Sequence, residues 1–298
     1  MTRFYNFMLY FFSGLCGLLL VGSAFTLIGF LLWQGASVMG LKLIFGTLDM
    51  GEIVDVIFWQ RIVIDGLWPA MVGTFFLVFM ALSTALPLGI GAGIYLAEYA
   101  GGRTKTFFSI VFDMLAGVPS IVIGLFGFSL TLYLHRYFAD LRPCLLISGL
   151  ALALLILPYL VRTTQTALEE LPDSLRLTAA ALGAEKSAVI ISVLLPQALP
   201  GIFSGIVLAI GRAAEDTAVI MLTGVVASAG IPRSLFDNYE ALPFYIYYTA
   251  SQFSDQYELQ QGFGAALVLL VICILLFSGA GLIRKKATLR LLYQHRQV

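Results

Sequence analysis

Within one strongly apolar stretch, Gly211-Arg212-Ala213-Ala214-Glu215-Asp216-Thr217 gathers the charges best placed to do chemistry. Arg212 lies three residues before Glu215 and four before Asp216, so on a helix all three share one face. Charge at membrane depth costs about 2.5–3.5 kcal/mol per residue on insertion scales, so such groups must pair or line a wet path. Two readings are open. In one, a neutralised ion cluster pins helix packing. In the other, Arg212 makes a reversible contact with an anion while Glu215 and Asp216 hold it in place. A planar guanidinium that never loses its proton suits a tetrahedral oxyanion. Two acids beside one arginine leave a local negative excess, which repels an anion unless one acid is protonated or paired elsewhere. A second constellation is Ala116-Gly117-Val118-Pro119-Ser120. Pro119 breaks the hydrogen-bond ladder, and the half-helix from Ser120 begins with free N–H groups that favour anions. An ordinary proline kink is the other reading.

Further chemistries find no residues to carry them. The chain has no G-x-x-x-x-G-K-[ST], H-E-x-x-H, G-x-S-x-G or paired-cysteine motif. Cys16, Cys144 and Cys273 each sit alone in an apolar run, so neither metal cluster nor disulfide framework is expected. Ser120 with His135 is the best nucleophile and base available, and the Pro119 break gives no reason for them to meet. No catalytic residue, metal or cofactor is expected, and energy from ATP must come from a separate subunit. Net charge is zero, which offers no basic footprint to nucleic acid.

The elements that position these residues are membrane spans. Of 298 residues, 60% are hydrophobic and 11% charged, with a mean hydropathy of +0.95. A soluble domain carries roughly a quarter charged residues, so this is an integral membrane protein in contact with lipid. Since about 20 apolar residues cross the hydrocarbon, six helices are predicted in an all-α fold. They run Phe7–Trp33, Leu67–Leu96 (interrupted by Pro87, Gly89, Gly91 and Gly93), Phe107–Tyr133, Pro143–Val161, Ala198–Val226 and Gly262–Ile283. Gly22-Ser23-Ala24 imitates a signal-peptidase site, but the apolar run continues to Trp33, too long for a cleaved signal. The chain divides into residues 1–66, an N-terminal span with an outer segment; 67–283, a five-helix core; and 284–298, a basic tail.

Lysine and arginine set the orientation. Arg3, Arg103, Lys105, Arg162, Arg176, Lys186, Arg284, Lys285, Lys286, Arg290 and Arg296 fall on one side, which makes both termini cytoplasmic. Lys42, Arg61, Arg136, Arg142 and Arg233 fall on the other, among the acids of Gln34–Asp65 and Ala227–Gln261. The cytoplasmic side also holds a charged interruption, residues 171–201, between two apolar spans. There Pro172 fits a first helical turn, and Asp173 or Ser174 can cap it. Gly183 can end that helix in the left-handed conformation, and Pro196 ends the next apolar run. Thr178, Ala179, Ala180 and Ala181 form a small-residue surface that lets another backbone approach. A short helix, a glycine turn and a second short helix are predicted, offered to a partner. An amphipathic loop resting on the membrane is the alternative.

This elbow resembles the coupling loop of ABC importer permeases, whose pattern is EAA, three residues, G, nine residues, I, one residue, LP. Gly183, Val193, Leu194, Leu195 and Pro196 keep the spacing, and Ala181-Leu182-Gly183-Ala184 fits; Leu177-Thr178-Ala179 stands where Glu-Ala-Ala is usual. Gly93-Ile94-Tyr95-Leu96-Ala97-Glu98-Tyr99-Ala100 and Leu115-Ala116-Gly117-Val118-Pro119-Ser120-Ile121-Val122 resemble the phosphate importer permeases of the PstA type. Pro158-Tyr159-Leu160-Val161-Arg162-Thr163-Thr164 and Ala209-Ile210-Gly211-Arg212-Ala213-Ala214 extend the likeness, which runs from about Leu67 to the C-terminus. Where that family has Gly-Glu-Thr-Ala-Pro, this chain has Glu215-Asp216-Thr217-Ala218-Val219, so Asp216 matches the family's glutamate.

The resemblance implies a type I ABC permease fold with a cytoplasmic coupling helix, and alternating access that moves inorganic phosphate inward across a bacterial inner membrane. It implies as partners a second permease of the PstC type, two ATP-binding subunits and a periplasmic phosphate-binding protein. The last would dock on Gln34–Asp65 and Ala227–Gln261. The elbow residues Thr178 to Gly183, with Leu195 and Pro196, would meet the ATPase. Arg212, Glu215, Asp216, Pro119 and Ser120 would line the path. Molybdate, sulfate or phosphonate are alternative cargoes. A gradient-driven transporter would instead use Glu215 and Asp216 as ion sites.

Overall fold

The computed structural model describes residues 2–48, 52, 64–138 and 142–294, and its regular elements are all helical. The acidic segment at 49–63, apart from Glu52, and the basic residue Arg296 lie outside the described residues. Helix α1, Thr2–Gly35, exposes its apolar side chains over nearly its whole length, as a lipid-facing span does. It is followed by a short turn of helix, α2, Leu41–Phe45.

Helix α3, Trp68–Ile94, and helix α6, Leu145–Glu169, form the centre. Leu77, Leu152, Ile156 and Leu160 are fully buried there. In lipid such burial gains packing rather than dehydration, so close backbone approach decides which helices pair. A Cβ on Gly89 would stand 2.6 Å from Leu160 Cβ, and one on Gly93 2.5 Å from Thr164 Cβ. The predicted interruption at Pro87, Gly89, Gly91 and Gly93 is therefore incorrect. Pro87 is exposed within a continuous helix, and Gly89 and Gly93 are the contact face.

The predicted third span is two helices, α4, Gly102–Ala116, and α5, Ser120–His135, bent by 96° at Gly117–Pro119. Among the described residues, five helices are long and apolar enough to cross a membrane alone, and the count reaches 6 when this bent pair is taken as one span. Helix α6 runs two turns beyond the predicted Val161, carrying Arg162 and Gln165 out toward the elbow.

After α7, Asp173–Ala181, comes α8, Lys186–Val189, which continues through a π turn, Ile190–Leu194, into α9, Leu195–Glu215. This corrects the reading of Pro196 as a terminator: it sits in the first turn of α9, and the wide turn before it absorbs the misfit. The fifth span also ends early. The backbone turns extended at Asp216, and Ala218–Thr223 forms a separate short helix, α10. Beyond it, α11, Leu242–Gln252, packs on α12, Gln256–Gln294, so the second half of the acidic Ala227–Gln261 segment is helical. Gly35 of α1 rests against Phe263 and Leu267 of α12, with Phe30 and Phe263 edge to face at 5.5 Å.

Candidate functional site

The charged group in α9 forms as its spacing predicts. Arg212 reaches Asp216 at 3.2 Å and Glu215 at 3.7 Å. The two acids are not equivalent. Asp216 is nearly sealed, its side chain 3% exposed, whereas Glu215 is 64% exposed. Asp216 divides its carboxylate: Oδ2 faces Arg212, and Oδ1 accepts the Val219 N–H at 2.8 Å at the start of α10. This explains why α9 stops where it does, because the carboxylate serves the next helix. The Val219 N–H is a neutral donor and both acids stay paired with Arg212, so the local excess of one negative charge expected from the sequence persists. Arg212 and Glu215 line an open cleft of about 490 Å³ with Tyr159, Ser204, Leu208 and Phe277.

Pro119 and Ser120 begin α5, with Pro119 exposed and Ser120 half-buried. Helix α5 lies on α10. A Cβ at Gly124 would meet Ala218 O at 3.0 Å, and one at Gly127 would meet Thr223 Cγ2 at 2.8 Å. The contacts advance together along both helices, so α5 and α10 run parallel and start at the same end. Pro119 and Ser120 thus share that end with Asp216 and Thr217, although no hydrogen bond joins Ser120 to the Arg212 group among the described residues. Ser120 and His135 sit at opposite ends of α5, roughly 22 Å apart along its axis, so they do not meet.

The elbow has the predicted helix, turn and helix. Gly183 takes φ +77° with open space around it. The predicted cap is absent: Pro172 precedes the first helical residue, and no side chain caps α7. Of the small-residue surface, Ala179 is buried against the protein's own Leu168, Val189 and Leu194, while Thr178, Ala180 and Ala181 face outward. Leu177 and Leu182 stand 70% and 84% exposed on the same knob. Leu195 and Pro196 are half-buried, set back in α9 from the knob.

Sequence reasoning missed the polar ties behind this knob. Arg176 bonds Glu98 at 2.7 Å and the carbonyls of Leu168 and Leu171 at 2.8 and 3.0 Å. Lys186 donates to the Glu98 carbonyl and lies 4.7 Å over the Tyr99 ring. Alongside, Arg162 joins α6 to Asp113 and Ser109 of α4, and Lys105 pairs with Glu169 at 2.7 Å. The only sequence signal was charge flanking apolar runs. The partners are distant in sequence, and no periodicity marks them.

A family-wide sequence profile described as Binding-protein-dependent transport system inner membrane component matches residues 89–288. The chain is 35% identical over 236 residues to the Phosphate transport system permease protein PstA of Haemophilus influenzae, covering 78% of this chain and 77% of that one. It is 37% identical over 227 residues to PstA 1 of Mycobacterium tuberculosis (strain CDC 1551 / Oshkosh), covering 76% and 72%. In fold it is similar to a chain of the inward-facing MetNI methionine ABC transporter, with a TM-score of 0.56, 19% identity, and coverage of 81% of this chain and 100% of that one. The chain therefore belongs to the binding-protein-dependent transport system inner membrane components, among the PstA-type permeases.

Proposed function

We propose that this chain is one permease half of an ATP-driven importer carrying inorganic phosphate inward across the bacterial inner membrane. The observation that carries this reading is its similarity, over three quarters of its length, to permeases named for phosphate transport. The other half is a PstC-type permease. Two ATP-binding subunits meet the knob around Leu177, Thr178, Ala180, Ala181, Leu182 and Gly183, and a periplasmic phosphate-binding protein docks on the opposite face. Both termini are cytoplasmic.

Alternating access follows from where force enters. Closure of the ATP-binding subunits pushes α7, and because α8 is continuous with α9, the push travels to Arg212. There the guanidinium, held by Asp216 on one side and open to the cleft on the other, offers a phosphate oxygen a charge-assisted hydrogen bond. The contact is weak by design of charge: Glu215 stays beside it and favours release. Pro119 and Ser120 supply a half-helix start at the same end of the bundle.

The test is uptake into proteoliposomes holding the whole complex. ATP-dependent entry of labelled phosphate, undiminished by excess sulfate or molybdate, is the expected result. Entry driven by an ion gradient without ATP would refute the importer, and stronger competition by another oxyanion would reassign the cargo.

A further inference from the structure

The elbow exposes its outer face, and both arms of its inner face are tied to one residue, Glu98. Glu98 lies in the π turn Tyr95–Tyr99 that closes α3, where the Ala100 N–H reaches back to Tyr95 O at 2.8 Å. Its side chain is only 7% exposed, and both oxygens face Arg176 of α7. Its backbone carbonyl takes Lys186 of α8. One tie comes from before the Gly183 turn and the other from after it. Two attachments on opposite arms remove the swivel that one would permit. Arg176 also bonds the Leu168 and Leu171 carbonyls at the end of α6, so a single guanidinium joins α3, α6 and α7.

Apolar packing adds to these ties: the buried Ala179 and Val189 of the elbow share one cluster with Leu168 of α6, and Ile90, Ile94 and Ala97 pack against that cluster. Such surfaces attract without direction and slide readily. Paired charge-assisted hydrogen bonds fix both distance and angle. We infer that Glu98, clasped by Arg176 and Lys186, is the positioning residue through which displacement of the elbow reaches α3 and the packed centre. This rests on the importer reading and adds to the α8–α9 route a second point at which force leaves the elbow, toward α3.

The experiment compares ATP hydrolysed with phosphate imported, in the reconstituted complex, for Glu98→Gln, Arg176→Met, their double variant and Lys186→Met. Glu98→Gln keeps shape and removes charge. Imported phosphate per ATP is expected to fall about tenfold in Glu98→Gln and Arg176→Met, within the range a coupling free energy spans, while hydrolysis continues. The double variant is expected to be no worse than either single, since the two act as one unit. Lys186→Met, which loses the second tie, is expected to lower the ratio by a smaller factor. An unchanged ratio in Glu98→Gln with intact assembly would overturn the inference. So would failure of both Glu98→Gln and Glu98→Asp to assemble, which would assign the pair to folding alone. Absence of ATP-driven uptake in the unaltered complex would instead refute the importer reading itself.

Discussion

Replacing Arg212 by Met separates its two roles. The substitution leaves the Asp216 carboxylate, 3% exposed, with the Val219 N–H as its remaining bond. Removing one partner of a fully buried pair costs about 3–5 kcal/mol. Arg212 is itself 32% exposed, so water already screens part of the pair and the expectation drops to about 2–3 kcal/mol. Glu215, at 3.7 Å and 64% exposed, contributes less than about 1 kcal/mol. Arg212→Met should therefore lower the thermal midpoint of the purified complex by several degrees, and Glu215→Gln should barely move it. Arg212→Met with Asp216→Asn removes the stranded charge and should recover most of the lost stability. Phosphate uptake should stay low in that repaired double variant, because the anion contact is still gone. A double variant as unstable as Arg212→Met would refute the reasoning about Asp216. Full uptake in a stable double variant would remove Arg212 from the path.

Three further outcomes follow from the packing. Gly205→Ala would set a Cβ 1.9 Å from Thr163 Oγ1 and 2.6 Å from Thr163 Cβ, forcing α9 off α6 at a cost of about 1–3 kcal/mol; Thr163→Gly should relieve it in a melting assay. Gly183 has open surroundings and φ +77°, so Gly183→Val should cost about 1–2 kcal/mol through backbone strain alone, and Gly183→Asn less, read as weaker retention of the ATP-binding subunits. Glu240 is pushed above the ordinary carboxylate range by burial, against the pull of the Gly230 and Ala229 N–H groups on its Oε1. A raised folded-state value means its contribution is most favourable below the unfolded value of 4.5 and is lost as pH rises through the folded one. Glu240→Gln should flatten that part of the pH–stability curve.

What the sequence made legible was whatever depends on local rules. Apolar runs located α1, α3, α6, α9 and α12, because spanning hydrocarbon demands length and composition alone. Gly183 was legible since a left-handed turn needs a residue without a Cβ, and the i+3 and i+4 spacing of Arg212 fixed its pairing with Glu215 and Asp216. Prolines misled in proportion to their context. Pro119 does break its helix, but Pro87 and Pro196 sit inside continuous ones, where an exposed position or a neighbouring π turn accommodates the missing N–H. The end of α9 was misplaced because hydropathy continues through Ala218–Thr223, while the break depends on Asp216 bonding Val219. Glu98 and Arg176 stand 78 residues apart, and only the folded chain shows that they meet.

Leu182 stands 84% exposed on the knob within residues 171–201 that we propose faces the cytoplasm. Leu182→Cys, in a chain whose Cys16, Cys144 and Cys273 are replaced by Ser, can be treated with a membrane-impermeant maleimide in inside-out and right-side-out vesicles. Labelling confined to inside-out vesicles, and blocked when the ATP-binding subunits are present, is the predicted result. Labelling of right-side-out vesicles, or no protection by those subunits, would contradict it.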